Sequence, residues 1–62
     1  MTPIPLADQI RCVDREIGMR LRVYPRWVQS GRMKQDEADR EIARMEAVLA
    51  TLHGLAEKER LL

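Results

Sequence analysis

Apolar residues at Leu6, Ile10, Val13, Ile17, Leu21, Tyr24 and Val28 follow one another at steps of four or three. This spacing is that of a helix and excludes a half-buried strand, whose apolar side chains would recur at every second position. At 100° per residue the series falls within a band of about 80°, a narrow seam suited to one neighbouring helix. It stops at Ser30-Gly31, and a glycine just beyond a helix adopts the left-handed backbone that closes it. Helix 1 is therefore expected over residues 6–29, after an irregular start marked by Pro3 and Pro5. Pro25 interrupts the pattern. An interior proline removes one backbone hydrogen bond and crowds the carbonyl four residues earlier. A kink near residues 21–25 is the expectation, and a break into two helices the alternative.

A second helix is expected over about residues 35–60. Asp36 and Glu37 complement the positive end of its dipole, and Met33 is placed to staple against Ala38. Lys34 as its N-cap lacks a short oxygen-bearing side chain, which leaves Asp36 as the competing cap. Ala38, Ile42, Met45, Leu49, Leu52 and Ala56, flanked by Val48, Leu55 and Leu62, spread over about 160° of its surface. The two helices would be about 36 and 39 Å long. Matched lengths and a short turn at residues 30–34 predict an all-α fold: one domain, residues 1–62, forming an antiparallel two-helix hairpin.

One hairpin leaves apolar surface without a partner. The broad face of helix 2 exceeds what the seam of helix 1 covers, and Cys12, Met19 and Val23 project nearly opposite that seam, with Trp27 at one edge. A chain of 62 residues with one cysteine and one histidine has neither a disulfide nor a four-ligand zinc site to compensate for a small core. Dimerisation into a four-helix bundle is expected, with Cys12, Met19, Val23, Val48, Leu52 and Leu55 at the interface; a core completed on a different protein is the rival.

Nothing in the chain suggests catalysis. Cys12, Ser30 and His53 are the only candidates for a nucleophile and base, and of these only Cys12 and His53 could approach each other in a hairpin. His53 and Glu57 could meet on one helical face, but two ligands do not make a metal centre. No enzyme, metal or cofactor is expected. No apolar run approaches the roughly 20 residues that span a bilayer, and no signal-peptide pattern opens the chain, so a cytoplasmic location is the expectation.

The charge is unevenly divided. Residues 1–35 carry seven basic and three acidic side chains, and residues 36–62 carry four basic and seven acidic, so the halves are +4 and −3. Opposite halves favour lying side by side, within one chain or between antiparallel copies. Arginine outnumbers lysine nine to two, which either selection for bidentate contacts or a GC-rich genome would produce. Residues 19–34 hold five basic side chains, no acidic one, and the only tyrosine and tryptophan. Arg20, Arg22, Tyr24, Arg26, Trp27 and Arg32 are the candidate binding residues. They suit an acidic protein surface, or the phosphates and bases of a nucleic acid or nucleotide. The plainer alternative has the aromatic pair plugging the end of the bundle, with the arginines paired to Asp36, Glu37 and Glu41.

The run Glu16-Ile17, Arg22-Val23-Tyr24-Pro25-Arg26-Trp27-Val28, Gly31-Arg32-Met33, Ala38-Asp39, Glu41-Ile42 and Met45 to Leu49 resembles short uncharacterised proteins encoded in phages and prophages of proteobacteria. The resemblance covers roughly residues 8–52, and relatives often carry Ser or Thr where Lys34 stands. It implies a small accessory protein that acts by stoichiometric binding, for example to a host regulator or an antiviral-defence component. An anion binder and a purely structural assembly module are the competing expectations.

Overall fold

The computed structural model describes residues 3–62. Its elements are α1, Leu6–Gln29, and α2, Gln35–Leu61, packed against each other as an all-α helical hairpin with no strand among the described residues. Together they take up 51 of the 60 described residues.

α1 begins after Pro5, whose extended backbone (φ −56°, ψ 146°) makes no side-chain cap. Its carbonyl accepts from the Asp8 and Gln9 amides at 3.1 and 3.2 Å, and the Gln9 side chain donates to the Ile4 carbonyl at 3.0 Å. The helix then runs through Pro25 as a single element, so the break does not occur. Pro25 has no amide hydrogen for the Leu21 carbonyl, and the side chains of both residues are exposed.

The turn closes α1 with a Schellman motif. Gly31 sits in the left-handed region at φ 82°, its amide donates to the Val28 carbonyl at 3.1 Å, and the Arg32 amide reaches back to the Trp27 carbonyl at 2.8 Å. Ser30 Oγ donates to the same Trp27 carbonyl at 3.1 Å. α2 opens on Lys34, which occupies the N-cap position with extended backbone and no side-chain cap. Its carbonyl accepts from the Ala38 amide at 3.0 Å. Asp36 is inside the helix, not its cap, and accepts from the Glu37 amide at 3.0 Å. One orphan donor of the first turn is satisfied in this way.

Between the helices lies a thin core. Ile17 and Ala38 are the only described residues that are buried; Leu6, Ile10, Val13, Tyr24 and Val28 of α1 and Ile42, Met45, Leu49, Leu52 and Ala56 of α2 are half-buried. Leu21 departs from the seam expected of it and is 57% exposed. It lies at the margin of the helical band, where it lines an inter-helix cleft of about 140 Å³ with Gln35, Asp39 and Ile42. Polar side chains on the facing helix cannot cover it.

The consequence is a large surface. The chain exposes 5187 Å², whereas a compact monomer of 7.2 kDa exposes about 4,100 Å². Its radius of gyration is 14.6 Å, against about 11 Å for a compact domain of this length. The excess of about 1,000 Å² is inherent in a two-rod body of 47 × 22 × 17 Å.

Candidate interaction surface

The turn end is built by the last two turns of α1 and the Schellman loop. Arg22 and Arg26 are four residues apart, hence on one face of α1, and both are exposed. Arg32 follows Gly31 and is exposed in the loop. Among the described residues, none of these three arginines forms an ion pair. On another face of the same end of α1 the Tyr24 and Trp27 rings pack with centroids 5.7 Å apart and planes tilted by 34°. Tyr24 is half-buried against α2, and Trp27 stays 39% exposed.

Arg20 behaves differently. Its Nε donates to Glu16 Oε1 at 3.0 Å, its Nη1 lies 3.7 Å from Glu41 Oε2 on α2, and its guanidinium carbon is 5.9 Å from the Tyr24 ring centroid. The hydrogen bond to Glu16 is the main reason that its pKa is raised above the ordinary arginine value; desolvation opposes it, and Tyr24 and the two carboxylates add to it. Arg20 is therefore engaged by carboxylates of its own chain, at the wall of a cleft on α1, whereas Arg22, Arg26 and Arg32 are not. Glu41 also accepts from Arg44 at 2.6 Å, so Glu16, Arg20, Glu41 and Arg44 form a charge-neutral ladder across the two helices.

The expectation that the turn-end arginines pair with the acids of α2 holds for Arg20 alone. Asp36 pairs instead with Arg40 at 3.3 Å on its own helix, because side chains four residues apart on one helix already lie adjacent.

Glu16, Met19, Arg20, Val23, Tyr24 and Trp27 line a largely apolar cleft of about 280 Å³ on α1. Two groups of residues that the sequence suggests for different roles, Tyr24 with Trp27 for a partner and Met19 with Val23 for self-association, thus share one concavity. The spacing 19, 23, 27 was the available signal, since steps of four place side chains in one row. A further, polar cleft of about 460 Å³ at the loop brings Arg32, Lys34 and Arg40 together with Asp36 and Glu37. Its mixed charge does not make an anion pocket.

The rest of the expected interface is on α2. Val48 and Leu55 are 45% and 47% exposed, Leu52 is half-buried, and on α1 Met19 is 43% exposed and Val23 half-buried. Cys12 is a free, exposed thiol and His53 is exposed; neither lines any of these clefts. No group of three or more His, Cys, Asp or Glu that could hold a metal ion occurs among the described residues. No described helix is long and apolar enough to cross a membrane.

The fold is that of a minimal helical hairpin, with arginines and two aromatic residues near its turn end. No protein-family model, no curated protein and no solved structure matches the chain.

Proposed function

We propose that the protein is a non-enzymatic, phage-type accessory protein that acts by stoichiometric binding, with its turn end engaging an acidic surface on a host protein such as a regulator or an antiviral-defence component. The observation that carries this reading is the set of Arg22, Arg26 and Arg32, all exposed and without an acidic partner among the described residues, at the end of the hairpin that also carries the exposed Trp27. Arginine gives planar, bidentate recognition of carboxylates, and arginine and tryptophan are the residue types that most often dominate interface energetics. The phage setting and the kind of host target follow from the resemblance of residues 8–52, and a bacterial cytoplasm is the corresponding location.

Binding of a nucleic acid or nucleotide is the second reading, favoured by the same free guanidinium groups. A net charge of +1 and the acids Asp36 and Glu37 in the loop cleft weigh against it. The test combines a pull-down from host lysate with native mass spectrometry, using wild type and the triple variant Arg22→Glu, Arg26→Glu, Arg32→Glu. Loss of a defined, stoichiometric partner in the variant is expected. If the variant retains every partner of the wild type, the turn-end reading is wrong. Titration with oligonucleotides and cyclic nucleotides is expected to leave Trp27 emission unchanged, whereas saturable quenching with steep salt dependence would favour the second reading.

A further inference from the structure

The cleft on α1 and an apolar row on α2, with Val48 and Leu55 exposed and Leu52 half-buried between them, open on the same side of the hairpin. Arg20 lines the cleft and reaches across to Glu41, which fixes the side on which Glu41 lies. Val48, Leu52 and Leu55 follow Glu41 at seven, eleven and fourteen residues, spacings that return to the same helical face. Because the helices run antiparallel, the two apolar areas occupy opposite ends of that side. Met19, Val23 and Trp27 are at the turn end, and Val48, Leu52 and Leu55 are towards the open end. Between them stands the neutral ladder of Glu16, Arg20, Glu41 and Arg44.

We infer that a second copy of this chain covers this face, head to tail, each copy seating the Val48–Leu52–Leu55 row in the Met19–Val23–Trp27 cleft of the other. A two-fold axis in the plane of contact, perpendicular to the line joining the two areas, exchanges them and satisfies both at once. The neutral ladder then lies near the axis, where a net charge would repel its own copy.

The area is sufficient for a second copy, and the charge favours a copy over a foreign occupant. The surface in excess of a compact monomer, about 1,000 Å², is close to the roughly 800 Å² per partner that a standard interface buries. The charge is also self-complementary. The ion pairs within the chain leave Arg15, Arg22, Arg26, Arg32 and Lys34 against Asp14 on the α1 and turn side, and Glu37, Asp39, Glu46 and Glu59 against Lys58 on α2. Head-to-tail contact sets the basic half of each copy beside the acidic half of the other. Arg22 and Arg26 lie on a different row of α1 from Val23 and Trp27, so the apolar contact leaves them at its border, while Trp27 and the charge of the arginines are shared with the proposed function.

The test is sedimentation equilibrium with far-ultraviolet circular dichroism at micromolar concentration. Wild type is expected at twice 7.2 kDa, with Trp27 emission shifting to the red on dilution as the mass falls. Val23→Lys and Leu55→Glu are each expected to weaken self-association at least tenfold. Mixed one to one, they are expected to recover a heterodimer, because one contact becomes Lys opposite Glu and the other stays Val opposite Leu. A folded wild type of 7.2 kDa at micromolar concentration overturns the second copy, and a mixture that associates no better than either variant alone overturns the head-to-tail arrangement. The dilution response of Trp27 needs no variant, so an unfolded mutant leaves the proposal open to refutation. The mass of the purified wild type involves no host partner, so it stays at twice 7.2 kDa if only the partner reading fails.

Discussion

Arg20 on α1 and Glu41 on α2 approach to 3.7 Å, the only ion pair between the two helices among the described residues. All other ion pairs join residues three or four apart on one helix. This contact is partly exposed and shared with Glu16 and Arg44, so its worth is that of a surface network, about 0.3–1 kcal/mol. A double-mutant cycle of Arg20→Ala and Glu41→Ala, read by urea unfolding, is expected to give a coupling in that range. The coupling should shrink between 0.1 and 1 M salt as the Debye length falls from about 10 to about 3 Å. A coupling of zero at low salt would show that apolar packing alone holds the register.

Ile17 and Leu21 belong to the same apolar series but sit in different surroundings, 8% and 57% exposed. Ile17→Ala is expected to cost about 2–4 kcal/mol, as buried large-to-small changes do. Leu21→Ala should cost less than about 1 kcal/mol, because little of its side chain leaves water on folding. Urea midpoints of the two variants at equal protein concentration check the contrast.

Lys34 caps α2 without an oxygen to offer its first turn. Lys34→Ser is expected to raise stability by about 1 kcal/mol, since a serine hydroxyl in that extended conformation accepts from the amide two or three residues on. A higher melting temperature with unchanged helix content would confirm it.

Gly31 and Gly54 should respond in opposite senses to alanine. An added Cβ meets nothing within 4 Å at either position, so sterics with neighbours do not distinguish them. Gly31 has φ 82°, where an L-residue is strained, and Gly31→Ala is expected to lose about 1 kcal/mol. Gly54 lies within α2, and Gly54→Ala is expected to gain about 0.5–1 kcal/mol by restricting the unfolded chain. Thermal unfolding of both variants provides the comparison.

The sequence by itself determined the helices and their turn. Three-and-four spacing from Leu6 to Val28 and from Ala38 to Ala56 is a local property of the backbone, and so is the need for glycine after Ser30. Even the lack of an oxygen at Lys34 is read from one position. The register between the rods was decided by tertiary structure, because no local rule says that Arg20 should meet Glu41. The same register left Leu21 outside the core, whereas the row of Met19, Val23 and Trp27 that lines one cleft with Tyr24 is a local property of α1. Periodicity states which side chains share a face, whereas burial depends on what stands opposite, and that depends on two segments at once.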